Sequence, residues 1–467
     1  MRRLPLIAVA LVGALPGPGA QAAWTEPQSV SSTANEVSAG TLAIDPGGRA
    51  LLTWSPMQYR SGQFAADGGR SATRPARASA FDQQRGAPVF VAGPVLFAGT
   101  RAVGLDERTG AWERCGGPST YNHSTQGVTL RARFGRSTGA FERPVTIASY
   151  RGPGGDGDPA VAANAAGQVL AAWSQSPAGC ARSLIEVSQR RPGASAFSAP
   201  TVLRARGDSR SPSVAVGQGG DMLAAWARQN GEGRTTIEAR YRPAGGSWGP
   251  VHALGTGSNN GYPLTTAVTQ NGRAYVAWGR QTFNADTGVH ASLYVAVRPA
   301  GARTFRASTL LERVNLRPLS YVSLKPVLAV AGNAALIAWT GHDTTWAVRV
   351  AAAGPTGGFG RVQTVSSPAT GALLGGLALL PGGTAAIAWS TLDAEELPAD
   401  VTAAVRPAGG SFMAPERVSA ATRSLPQIAL SPATLQPTVA WTQNFGPAST
   451  SAAKLDVRLR AASRVAP

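Results

Sequence analysis

The chain is poor in charge, and poorer still in everything that makes long helices or metal centres. Only 15% of its 467 residues are Asp, Glu, Lys or Arg, against about a quarter in ordinary globular proteins. Lysine occurs twice, at Lys325 and Lys454, so nearly all of the cationic charge is arginine. There are four histidines and two cysteines. This excludes a zinc cluster of closely spaced Cys and His and a multi-bridge disulfide scaffold. No heptad run is present, which excludes a coiled coil. Beyond the N-terminus no stretch reaches 18 apolar residues without Gly, Pro or polar interruption, which excludes a helical membrane span. No Walker loop, nucleophile elbow, H-E-x-x-H or paired C-x-x-C occurs.

What is abundant is turn chemistry: 56 glycines and 34 prolines, dispersed rather than run together. The net charge is +18, without a dense Arg/Lys cluster. A basic surface of this kind attracts anionic polymers in general. The expected partner is therefore a glycan, an anionic polymer or a protein, rather than nucleic acid, and the chain is expected to act as a monomer.

Met1-Arg2-Arg3, the apolar Leu4–Leu15 and Ala20-Gln21-Ala22 form a charged n-region, a short h-region and an A-x-A cleavage site. Residues 1–22 are read as a signal peptide cleaved near Ala22. The mature protein is then expected in the periplasm or outside the cell, with 23–467 forming a single domain.

That domain is a repeat. A short apolar run ending in tryptophan recurs at Trp54, Trp173, Trp226, Trp278, Trp339, Trp389 and Trp441. The interval from Trp54 to Trp173 is twice the others, and a degenerate copy with Leu105 in the tryptophan slot fills it. Eight units follow, spaced by about 55 residues. Each opens on a strand often begun by proline, as at Pro159, Pro212 and Pro326, where no ladder donor is needed. A Gly-rich turn leads to the tryptophan strand. A third, alternating strand such as Ile237–Arg242 is expected nearer solvent. A hairpin turn then repeats as Arg242-Pro243-Ala244-Gly245, Arg298-Pro299-Ala300-Gly301 and Arg406-Pro407-Ala408-Gly409, followed by an aromatic and a short fourth strand.

The tryptophan strand is apolar on both alternating faces, so it must be covered on both sides. Four-stranded units with two sticky faces stack on copies of themselves, and closing the circle removes the open ends. The expectation is an all-β fold: a single β-propeller of four-stranded antiparallel blades, eight in number with seven as the alternative. The last unit lacks a fourth strand. Trp24-Thr25-Glu26-Pro27-Gln28-Ser29-Val30-Ser31 has the texture of a fourth strand, so the N-terminal strand is expected to complete the last blade.

These repeats resemble those of secreted bacterial sialidase-like (BNR-type) β-propeller proteins, over nearly the whole mature chain, although no unit carries an intact Ser-x-Asp-x-Gly-x-x-Trp box. The catalytic set that the resemblance implies, an arginine trio, a tyrosine with a glutamate and an acid/base aspartate, matches no motif here. No catalytic residue is therefore assigned. Asp106–Trp112 has only a single faint likeness to a quinoprotein repeat.

The loops between second and third strands and between fourth and first strands share one rim, where ligand contacts are expected. Candidate rim residues are Asp106, Glu107, His123, Asp286, His290, His342, Asp343, Asp393 and Glu395. Of these, His290 with Asp286, and His342 with Asp343, are the pairs expected to meet. Cys115 and Cys180 fall in rim loops of adjacent units and are expected to form a disulfide in an oxidising compartment. No cofactor is expected. Gly154–Asp158 matches half of a calcium loop but lacks the distal glutamate. The sequence reading favours a non-catalytic propeller binding a glycan, envelope polymer or protein on this rim and leans away from an enzyme. A carbohydrate-active hydrolase using rim carboxylates and a structural assembly module are the alternatives.

Overall fold

The computed structural model describes Trp24–Glu26, the strands before residue 159, and residues 159–464 apart from 176–182, 205–207, 231–233, 259–263, 285–287, 317–323, 395, 421, 423–424 and 445–456. Side chains are described for Trp24–Glu26 and, at most positions, from Leu130 onwards. The described residues form eight sheets of four antiparallel strands, seven of them in chain order and the eighth completed by the N-terminal strand. We name these strands A to D.

The sheets run as follows. Sheet one comprises Glu36–Ile44, Ala50–Met57, Ser79–Asp82 and Pro88–Phe90. Sheet two comprises Val95–Ala98, Arg101–Arg114, Ser124–Phe134 and Val145–Pro153. Sheet three comprises Ala160–Ala163, Val169–Gln175, Leu184–Arg190 and Thr201–Arg204. Sheet four comprises Asp208–Val216, Met222–Gln229, Thr235–Arg242 and His252–Thr256. Sheet five comprises Leu264–Val268, Ala274–Asn284, Gly288–Arg298 and Thr309–Leu316. Sheet six comprises Val327–Ala331, Ala334–His342, Trp346–Ala353 and Phe359–Thr364. Sheet seven comprises Ala372–Leu379, Ala385–Leu392, Pro398–Arg406 and Glu416–Ser419. Sheet eight comprises Gln427–Leu430, Pro437–Asn444 and Val457–Ser463, with Gln28–Ser29 as its D strand.

The completion of the last sheet by the N-terminus is explicit in the register. Gln28 pairs with Ala461 and Ser29 with Arg460, and Trp24 forms a bridge with Arg464. The A strands of successive sheets contact one another in chain order, and the A strand of sheet eight contacts that of sheet one.

The apolar cores lie between neighbouring sheets, as the two-faced B strands require. Leu170 and Ala172 face sheet four, where Val214, Val216 and Trp226 meet them. Val169, Ala171 and Trp173 face sheet two. The tryptophans Trp173, Trp226, Trp278, Trp339, Trp389 and Trp441 are all fully buried. Each removes an area worth about 4–6 kcal/mol as an upper bound. The alanines between them let sheets approach closely. The Pro-Ala-Gly turns close C to D. Gly246 N donates to Pro243 O at 2.9 Å and Gly410 N to Pro407 O at 3.1 Å. Gly245, Gly301 and Gly409 all hold φ near +70°, a left-handed value that only glycine adopts without strain.

The C strands are the more solvated of each pair, as expected: Met222–Ala227 of the sheet-four B strand are all buried, whereas Thr236, Arg240 and Arg242 of its C strand are partly exposed. Glu238, at 3% exposed, is the exception. One expectation changes. Several expected loops are strand. Asp106 and Glu107 lie within the B strand of sheet two, pairing with Arg131 and Leu130. In sheet five the B–C ladder runs out to Asn284 opposite Gly288. Antiparallel pairing continues past the tryptophan, shortening the loops.

Candidate functional site

The B–C loops and D–A loops share one rim, which is built on the seams between sheets. A buried indole N–H at a seam calls for an acceptor, and Trp226, Trp339 and Trp278 find three different ones, whereas Trp441 Nε1 is buried without a partner among the described residues. In the seam between sheets three and four, Trp226 Nε1 donates to Glu238 Oε2 at 3.0 Å. Arg228 Nε lies 2.6 Å from Glu238 Oε1. Arg204, from the D strand of sheet three, reaches Glu238 Oε2 through Nε at 3.1 Å. The carboxylate is thus held by one indole and two guanidinium groups.

Between sheets five and six the charges exchange strands. Trp339 is opposite Arg349 on the C strand, and the carboxylate comes from Glu312 on the preceding D strand. Trp339 Nε1 donates to Glu312 Oε2 at 3.3 Å, and Arg349 Nη1 to Glu312 Oε1 at 2.5 Å. Gly341 makes room: a Cβ there would lie 2.9 Å from Arg349 Cδ and Nε. Between sheets four and five the tryptophan's acceptor is a backbone carbonyl rather than a carboxylate. Trp278 Nε1 donates to Thr256 O at 3.0 Å, and Tyr294 stacks on its ring with centroids 5.7 Å apart.

Above the second of these clamps the hairpin of sheet six carries a group of polar and aromatic side chains on the rim. Asp343 is exposed, with 78% of its side chain open to solvent, yet its carboxylate is ion-paired with the second nitrogen of Arg349. The two carboxylates hold the Arg349 guanidinium above its ordinary pKa even though burial pulls the other way. His342 meets Trp346 edge-on, with ring centroids 4.7 Å apart and planes at 69°. Trp346 is only partly buried, resting on the core below. Thr345 Oγ1 reaches Pro368 O at 3.5 Å, tying the hairpin to the D–A loop of its own sheet. The result is a fixed anionic acceptor beside an aromatic face.

The other sequence candidates are not gathered here. His290 Nδ1 lies 2.6 Å from Asn315 Oδ1 within sheet five. Its expected partner Asp286 is outside the described residues, as are His123, Glu395, Cys115, Cys180 and the Gly154–Asp158 loop. The side chains of Asp106 and Glu107 are likewise not described. Asp393 shapes its own turn by accepting Leu397 N at 2.9 Å. Asp208 is paired with Arg210 at 2.9 Å. Among the described residues no group of three or more His, Cys, Asp or Glu stands close enough to hold a metal ion, and no helix is long and apolar enough to cross a membrane. Sequence reasoning missed Arg349, Trp346, Glu312 and Glu238. The signal for Trp346 was available: a tryptophan three residues after His342-Asp343 that sits outside the repeat position.

No protein-family model matches the chain, so the sialidase-like resemblance rests on repeat texture alone, and none of the curated proteins matches it in sequence. Solved β-propellers do match in structure. The α-L-arabinofuranosidase of Fusarium graminearum is 11% identical with a TM-score of 0.37, over 65% of this chain and 91% of that one. The β-propeller domain of a Pyrococcus furiosus protease, described as having an open velcro topology, is 7% identical with a TM-score of 0.42, over 82% of this chain and 98% of that one. The polysaccharide lyase Uly1 is 11% identical with a TM-score of 0.40, over 79% of this chain and 89% of that one. The leaning away from an enzyme is corrected by these matches: a glycoside hydrolase and a lyase are among the solved propellers that the chain is similar to. The chain's own strand pairing and the chain-order contacts between its A strands are the arrangement of a β-propeller.

Proposed function

We propose that the chain is an exported, carbohydrate-active β-propeller of eight blades that takes a polysaccharide on the rim formed by its B–C and D–A loops. The observation that supports this most is the sheet-six hairpin. A sugar ring offers an apolar C–H face and a fringe of hydroxyl donors. Trp346 supplies an apolar aromatic surface, and Asp343 supplies an acceptor whose position is held by Arg349 rather than left to rotate. Holding the acceptor in advance reduces the ordering cost of binding.

The test is a glycan array together with a panel of polysaccharide and chromogenic glycoside substrates, applied to the full secreted chain, to Trp346→Ala and to Asp343→Asn. A glycan bound or cleaved by the wild type, with at least a tenfold loss in both variants at unchanged circular dichroism, supports the proposal. Equal binding and turnover by all three proteins, or no glycan recognised by the wild type, refutes it.

A further inference from the structure

One seam earlier the clamp keeps its carboxylate and indole but neither arginine, and Tyr150 stacks on the Trp173 ring with centroids 5.6 Å apart. Glu186 on the C strand of sheet three stands opposite Trp173, as Glu238 stands opposite Trp226. Trp173 Nε1 donates to Glu186 Oε2 at 3.1 Å, repeating the indole bond. Both arginine positions are changed. The D-strand residue paired just before the bulge is Arg204 in sheet three and Ala148 in sheet two. The B-strand residue two past the tryptophan is Arg228 in sheet four and Gln175 in sheet three. Ala148 is buried against the same core as Trp173, so the short side chain stands where a guanidinium stem would pass. Among the described residues no cation pairs with Glu186, and its Oε1 has no hydrogen-bond partner.

We propose that this clamp is a binding site for a guanidinium or primary ammonium group presented by a ligand, with Glu186 as its counter-ion. The repeat itself provides the template. In the neighbouring seam the same carboxylate, held by the same indole, accepts guanidinium nitrogens at 2.6–3.2 Å. Glu312 and Glu416 likewise each combine one indole donor with an arginine. A carboxylate with a single neutral donor is under-satisfied beside those three, and burial raises the Glu186 pKa despite the Trp173 bond. A bound cation completes the set and restores the charged form. This site is separate from the sheet-six hairpin and does not depend on the reading of that hairpin.

Saturation-transfer NMR on the full chain tests it, with methylguanidinium and glucosamine as probes, and glucose and tetramethylammonium as controls. Two variants are compared with the wild type. Glu186→Gln keeps an acceptor for the indole but removes the charge. Ala148→Arg supplies the cation internally. Saturable binding of a probe by the wild type, weakened at least tenfold in Glu186→Gln, supports the site, and the better-bound probe tells a protein side chain from an amino sugar as the source. Loss in Ala148→Arg as well supports the seam geometry. Binding of neither probe, or undiminished binding by Glu186→Gln, overturns the proposal. Because Glu186→Gln is nearly isosteric, this result does not hinge on Ala148→Arg folding.

Discussion

Glu238 is the carboxylate whose replacement says most about how the seams hold. Its side chain is 4% exposed and receives Arg204, Arg228 and Trp226 together. In Glu238→Gln the shape is kept and the charge is lost, so two guanidinium groups face a neutral amide in a buried seam. Breaking a buried pair by removing one partner costs about 3–5 kcal/mol. Arg204 and Arg228 retain 28% and 24% of their side-chain exposure and recover some hydration, which places the expected cost near the lower end, about 3 kcal/mol. With an unfolding entropy of about 2.1 cal/mol/K per residue, that corresponds to a fall in Tm of about 3 °C for a chain of this length. Because repeat arrays unfold in parts, urea titration should be followed by both tryptophan fluorescence and circular dichroism, and only coincident transitions converted to free energy. The companion is the triple variant with Glu238 replaced by glutamine and Arg204 and Arg228 by leucine, which removes the charges together, keeps an acceptor for the Trp226 indole and is expected to be close to neutral. A loss under about 1 kcal/mol for Glu238→Gln, or a triple variant that is much worse than the single one, refutes the account of the clamp as a set of mutually dependent charges.

Two further outcomes follow from the same kind of geometry. Trp24 Nε1 donates to Glu416 Oε2 at 2.9 Å, and Arg464 Nη2 lies 2.9 Å from Glu416 Oε1. Trp24→Phe and Glu416→Gln are each expected to cost about 1–2 kcal/mol, to be non-additive in a double-mutant cycle, and to speed hydrogen exchange at Gln28 and Ser29. For Glu186 the folded pKa is raised above the unfolded value, so the stabilising state is the protonated one. Its contribution is complete below the ordinary glutamate pKa and is lost as pH rises through the folded pKa. Glu186→Gln should therefore match the wild type in denaturant stability near pH 3.5 and exceed it at pH 7. A constant difference at both values counts against a desolvated carboxyl there.

The architecture was legible because it is written in repetition. The tryptophan runs, the Pro-Ala-Gly turns and the N-terminal Trp24–Ser31 segment each predict a strand or turn that the register reproduces. The seams were not legible in the same way. Ile237-Glu238-Ala239-Arg240 alternates apolar and polar, which by pattern reads as one wet face. That rule holds for a sheet with one covered side, whereas here both sides are covered and polar residues are buried in partnership. Pairing Glu238 with Arg204, or Glu312 with Arg349, requires knowing which residue stands just before a bulge in the D strand, and bulges leave no mark in composition. The exchange of charge between strands from one seam to another also removes any simple column of conserved type within the chain's own repeats. On the rim, Asp343 and His342 were identified, but Arg349 looked like an ordinary strand arginine, and Trp346 was absorbed into the general richness in tryptophan.

Because Gln28 and Ser29 bond to residues made more than 400 positions later, the final sheet cannot form while the polypeptide is still emerging. Its earliest-made strand waits, with free amide and carbonyl groups, until almost the last residue is available. Seven sheets can assemble in order of synthesis, but the eighth comes last, so a product truncated before Val457 would be left with an unlatched seam on either side of the gap.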